Sequence, residues 1–180
     1  MAEPFAFGLI VGRFQILHSG HTEMIDTALK LCGRVGVLIG SAQEQGTEKN
    51  PFSAEERARF LRAVYGGRIG IGAIPDAGLG NTPEWGRHLL RSAEACFGTR
   101  PDVIVSGKEG RRTGWFADEP VAEVIVPKHI EVSATQMREW LAEDRFEIWK
   151  SFCDEKLWKF YPEMRERILS VQGKTKTDSI

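Results

Sequence analysis

GRFQILHSGH, residues 12–21, separates an apolar run at residues 7–11 from a segment whose apolar residues recur at helical spacing: Met24, Ile25, Ala28, Leu29 and Leu31. The pattern predicts a strand, a glycine-bearing loop and a helix over residues 21–31. Such a loop aims backbone N–H groups and the positive end of a helix dipole at one point, which favours phosphate. Gly20 lets a ligand approach the backbone closely, and Arg13 adds a forked charge that fits phosphate oxygens. His18 and His21, three residues apart at the helix entry, share one side of the turn. Taken alone, the two histidines read equally well as surface residues beside a tight loop. Zinc lacks a third ligand cluster. A Walker A loop is absent, because Gly173-Lys174-Thr175 would need glycine at 168, where Ile168 stands.

Outward from this stretch, strands and helices take turns. Residues 35–39, VGVLI, read as a buried strand followed by a polar segment at 40–51. Ser53-x-x-Glu56 is a capping box, opening a helix with Phe60, Leu61 and Val64 on its apolar side. Residues 69–74 form a third strand. Thr82 as N-cap and Pro83 at the first helical position open a helix through Leu89, Leu90 and Ala93 to Gly98. Residues 103–105 and 121–126 add two strands, and Ser133 opens another helix. The order βαβαβαββα predicts an α/β, Rossmann-like, doubly wound and mostly parallel sheet with C-terminal helices. Ligands in such sheets bind beyond the carboxyl ends of the strands, near the switch in strand order. Four polar, glycine-containing segments fall there: 12–21, 40–51, 75–82 and 106–114. The expected organisation is a sheet domain over 1–145, C-terminal helices over 146–171 packed on it, and a flexible tail at 172–180. Trp140, Trp149 and Trp158 are expected to pack those helices onto the sheet.

Composition narrows the classes. With 180 residues and 42% apolar composition, the chain can bury one substantial core. Its 24 basic and 25 acidic residues leave a net charge of −1, with no global sign of a nucleic-acid binder. Cys32, Cys96 and Cys153 contain no CxxC pair, so neither a disulfide framework nor a zinc site is indicated, and a reducing compartment fits. The N-terminus lacks the basic and apolar regions of a signal peptide, and no run of about 18 apolar residues exists. The expectation is a soluble, cytoplasmic protein that partners neither nucleic acid nor membrane.

A second constellation, SATQMR, covers Ser133–Arg138. A capping box explains Ser133 and Gln136 most economically, yet leaves Arg138 unexplained. Thr135 and Arg138 share a helical face, so this second helix start can also hold an anion. Two anion-binding helix starts on one parallel sheet suggest a polyphosphate spanning them, with a nucleoside triphosphate as the obvious candidate.

GRFQxxHxGH together with SATxxR resembles the HxGH nucleotidyltransferase superfamily. The blocks VGRFQILHSGH, IGSAQ, EKNPFSAEER, IPD with Trp85, and VSATQMR resemble the archaeal-type nicotinamide-nucleotide adenylyltransferases over roughly the first 140 residues. The resemblance implies transfer of AMP from ATP to nicotinamide mononucleotide, giving NAD and pyrophosphate, with Mg2+ accompanying the ATP and a homo-oligomer as the assembly. It assigns His18, His21, Arg13 and Arg138 to catalysis. It assigns Gly12, Arg13, Phe14, His18, His21, Gly107, Ser133, Thr135 and Arg138 to ATP, Lys49 to a phosphate contact, and Ser41, Asp76 and Trp85 to the acceptor. Trp85 reads either as core or as an indole stacked on a pyridine ring. Ile16 departs from the family's usual proline, and residues 108–115 have no counterpart in the pattern. A solvated basic turn is the simplest reading of Trp115 and its segment. Nicotinate mononucleotide and phosphopantetheine are the alternative acceptors, and a non-catalytic nucleotide sensor is the alternative class.

Overall fold

Five parallel strands form one sheet in the order β3-β2-β1-β4-β5. The computed structural model describes residues 3–108 and 114–177. Its elements are β1 (Phe5–Gly12), α1 (Ser19–Leu31), β2 (Cys32–Ile39), α2 (Ala54–Tyr65), β3 (Gly70–Ala73), α3 (Pro83–Phe97), β4 (Val103–Ser106), β5 (Ala122–Ile125), α4 (Ala134–Ala142), α5 (Phe146–Lys150) and α6 (Tyr161–Thr177). The expected mostly parallel sheet is parallel at every pairing, and the strand order reverses between β1 and β4. β1 and β2 are longer than the apolar runs that announce them, and β2 follows α1 without a loop, Cys32 capping the helix.

Strand alternation sorts the core into two layers. Ile10, Val37, Val103 and Val105 face the layer closed by α1 and α2, through residues such as Ile25, Ala28, Phe60 and Leu61. Leu9, Val11, Leu38 and Ile104 face Leu89, Leu90 and Ala93 of α3. Both faces are therefore covered, which is why the central strands read as unbroken apolar runs.

The C-terminal helices join the first layer: Met137, Trp149, Leu157, Tyr161, Met164 and Ile168 belong to the same cluster as Phe52 and Phe60. Trp149 is fully buried and Trp140 nearly so, whereas Trp158 is 39% exposed. The sequence reading of three packing tryptophans thus needs correction at Trp158, whose ring meets Phe146 edge-on and lies near the Lys150 ammonium instead. α6 runs through Thr177, past Gln172, where the sequence reading starts a tail. No proline interrupts that stretch, and its Lys and Gln residues are good helix formers. The remainder of the expected tail lies outside the described residues.

Candidate active site

The carboxyl ends of the strands open into a cavity of about 1020 Å³ at the switch point. All of the residues singled out from the sequence line it: Gly12, Arg13, Phe14, His18, His21, Ser41, Lys49, Asp76, Trp85, Gly107, Ser133, Thr135 and Arg138.

At the start of α1 the two histidines form a capping box of their own. His18 Nδ1 accepts the Gly20 N–H at 3.2 Å, and His21 Nδ1 accepts the His18 N–H at 3.4 Å. With both Nδ1 atoms spent as acceptors, the neutral rings carry their protons on Nε2, leaving two Nε2–H donors. The ring centroids lie 3.9 Å apart. Burial, then Lys128, lowers the His18 pKa from 6.5 to about 4; burial, then His18, holds His21 well below 6.5. Both are neutral at pH 7. Phe14 turns through the left-handed region, φ 52, and buries its ring 4.9 Å from that of His21. That ring packs against the histidine, and a Cβ at Gly12 would sit 3.0 Å from it, a tight contact that glycine avoids.

Arg138 reaches back to this loop, donating to the Gln15 carbonyl at 2.7 Å and to Thr135 Oγ1 at 3.2 Å. Burial, then the nearby Arg13 charge, lowers its pKa, but a guanidinium stays charged. Arg13 and Lys49 are exposed on the cavity wall. Ser133 is committed to its cap: its hydroxyl accepts the Gln136 N–H and lies 3.0 Å from Gln136 Oε1. Lys128, which sequence reasoning missed, also lines the cavity and pairs with Glu131 at 3.1 Å. Nothing in its local sequence marks it, because its position comes from the loop after β5.

Beneath the site lies Arg57, 0% exposed. It donates to the carbonyls of Arg13 (2.9 Å), Gly40 (2.8 Å), Ser41 (3.1 Å) and Ser53 (3.1 Å). One guanidinium thus ties together the ends of β1 and β2 and the cap of α2. In the sequence Arg57 stands out only as the last residue of EKNPFSAEER.

On the β2–β3 side, Ser41, at φ 47, donates to Asp76 Oδ1 at 3.1 Å, and Gln43 Nε2 donates to Asp76 Oδ2 at 3.0 Å. The Asp76 N–H donates back to Gln43 Oε1 at 3.0 Å. Trp85, in the first turn of α3, is half-buried: it packs on the second core layer and also lines the cavity. Trp85 thus packs on the core, as one of its two sequence readings has it, while also bordering the cavity. Trp115 meets it edge-on with centroids 6.3 Å apart and donates from Nε1 to Asn81 Oδ1 at 3.0 Å. The reading of Trp115 as part of a solvated turn is corrected here, and Gly86 is the reason. A Cβ on Gly86 would collide with the Trp115 carbonyl oxygen, so only glycine lets this segment lie against α3. Arg111 and Arg112 of the same segment lie outside the described residues.

Among the described residues no group of three or more His, Cys, Asp or Glu side chains could hold a metal ion. No described helix is long and apolar enough to cross a membrane.

A family model described as cytidylyltransferase-like matches residues 9–149, from the middle of β1 to α5. The chain belongs to the cytidylyltransferase-like family. The nicotinamide-nucleotide adenylyltransferase of Thermococcus onnurineus is 30% identical over 179 residues, covering 89% of this chain and 86% of that protein. The enzyme of the same name from Aeropyrum pernix is 38% identical over 107 residues, a match that takes in 58% of its own length. Among solved structures, a bifunctional NMN adenylyltransferase/ADP ribose pyrophosphatase from Francisella tularensis superposes with a TM-score of 0.75 at 19% identity. That match covers 96% of this chain and 54% of the larger protein, and it establishes the shared fold.

Proposed function

We propose that this cytidylyltransferase-like protein is a nicotinamide-nucleotide adenylyltransferase. A 5′-phosphate oxygen of nicotinamide mononucleotide attacks the α-phosphorus of ATP; the bond from that phosphorus to the β-phosphate bridging oxygen breaks in line; NAD and pyrophosphate result. The observation that carries this reading is the paired histidine cap, two neutral Nε2–H donors at a helix N-terminus with Arg13, Lys49 and Arg138 on the same cavity.

A phosphate monoester is already nucleophilic near neutral pH, so positioning and charge stabilisation carry the reaction rather than acid-base steps. Arg13, Lys49 and Arg138 attract and hold the triphosphate. His18 and His21, kept neutral, donate hydrogen bonds to the oxygens that gain charge in the transition state, with the α1 dipole behind them. Mg2+ would enter with ATP, ligated by phosphate oxygens and water because the described side chains offer no carboxylate cage, and would offset phosphate charge. Trp85 gives the acceptor's ring a flat wall. The reading also places the enzyme in the cytoplasm as a homo-oligomer, which a sizing column checks.

The deciding experiment is pyrophosphate release from ATP and Mg2+ with nicotinamide mononucleotide, nicotinate mononucleotide or phosphopantetheine added separately. Release with a pyridine mononucleotide alone is expected. Release only with phosphopantetheine, or with none, overturns the reading.

A further inference from the structure

We infer that Gln15 is a positioning residue for the triphosphate: its side-chain amide joins the loop that carries Arg13 and the histidine cap to the segment that carries Lys49, while its carbonyl holds Arg138. The inference rests on the proposed reaction, which sets the triphosphate against those three cations.

Gln15 is buried, 3% exposed, and both ends of its amide are bonded to one distant residue. Nε2 donates to the Phe52 carbonyl at 2.8 Å, and Oε1 accepts the Phe52 N–H at 3.0 Å. An amide offers a donor and an acceptor side by side, as a peptide unit does, so the side chain serves Phe52 as a neighbouring strand would. The main-chain carbonyl of the same residue accepts from Arg138 Nη1 at 2.7 Å. One residue therefore meets all three segments that bring cations to the phosphates.

Phe52 passes this hold on to Lys49. Its ring is 1% exposed and meets that of Phe60 edge-on at 5.5 Å, which anchors residue 52 in the core. Residues 46–51 fold back on themselves just before it. The Gly46 N–H donates to the Pro51 carbonyl and the Thr47 N–H to that of Asn50, both at 3.3 Å, and the Asn50 N–H donates to Thr47 Oγ1 at 3.0 Å. Lys49 stands exposed on this turn, next to the buried Asn50. A flexible ammonium is placed only as well as the backbone beneath it. Arg57 braces the same segment at the carbonyls of Gly40, Ser41 and Ser53, outside the Lys49 turn. Without the Gln15 amide, the Phe52 N–H and carbonyl would lose their partner in a buried place, and the segment would relieve that cost by moving towards water, taking Lys49 with it.

The test uses Gln15→Met, which keeps the length of the side chain and removes both bonds. Calorimetry reads Kd for ATP with Mg2+, and steady-state kinetics reads KM for ATP and for nicotinamide mononucleotide. Gln15→Met should weaken ATP about tenfold and leave the acceptor KM within about twofold. A residue that acts through Lys49 is also non-additive with it: Lys49→Ala should raise Kd about tenfold in the wild type and less than about threefold in Gln15→Met. Gln15→Glu, which keeps the acceptor for the Phe52 N–H and loses the donor, carries the same cycle where Gln15→Met does not fold. The inference is overturned if ATP binds the variant as it binds the wild type, if ATP and acceptor weaken alike, or if Lys49→Ala costs as much in the variant as in the wild type. A lower thermal midpoint with unchanged Kd assigns the amide to stability alone and overturns it equally. A wild-type chain that binds ATP but turns over no pyridine mononucleotide overturns the proposed reaction instead, and the Kd cycle still decides the place of Gln15.

Discussion

The two ends of the cavity are built by different physics. At the β1–α1 end the groups are fixed by backbone geometry: two histidines are N-cap partners of one helix, and Arg138 is tethered to a carbonyl of the loop they close. At the β2–β3 end the groups are fixed by one another, through Asp76, Ser41 and Gln43 and through the Trp85–Trp115–Asn81 contacts. A backbone-built end is suited to a ligand part that never changes, a phosphate chain. A side-chain-built end can be retuned for a different acceptor without disturbing the first.

Removing His21 would break the contrast most severely. His21→Ala should lower kcat about 10²–10³-fold, by analogy with loss of a single oxyanion-hole donor, with little change in acceptor KM. Steady-state kinetics with both substrates varied checks this, and near-normal turnover would show that the histidine cap is only structural.

The cap also predicts an acid sensitivity. The folded-state pKa of His18 is depressed to about 4 from 6.5. The stability contributed by keeping it neutral is therefore fully present above pH 6.5 and is lost as pH falls towards 4, up to about 3 kcal/mol. His18→Asn keeps a capping side chain without the titration. Thermal midpoints from pH 8 to pH 4 should fall more steeply in the wild type than in His18→Asn; parallel curves would remove the histidine from the account.

Trp85→Ala is the smallest effect and the sharpest probe of separation between the ends. Acceptor KM should rise about tenfold, roughly 1.4 kcal/mol, while ATP KM stays within twofold, about 0.4 kcal/mol. Equal changes in both would mean that the ends are not independent.

The backbone-built end was the more legible in sequence for this same reason. Glycine, histidine and the capping pair at Ser133 and Gln136 sit at fixed offsets from helix starts, and offsets survive in a linear reading. The strand alternation likewise exposed the doubly wound sheet, because both faces are covered. What stayed hidden depends on contacts between distant segments. Lys128 reaches the site from the loop after β5, Trp115 is brought in by the absence of a side chain at Gly86, and the exposure of Trp158 depends on how α5 and α6 meet. The histidine capping box was concealed differently: His-x-x-His performs a task usually signalled by Ser/Thr-x-x-Glu/Gln.

Arg57 gives both ends a common datum. Its Nη1 donates to the carbonyls of both Arg13 and Gly40 and its Nη2 to that of Ser41, so the spacing between the two loops is measured off one rigid object. In-line displacement loses about a hundredfold in rate for a misplacement near 1 Å. A shared reference makes errors in the two loops move together, and in the proposed reaction the gap between attacking oxygen and phosphorus is then insulated from both.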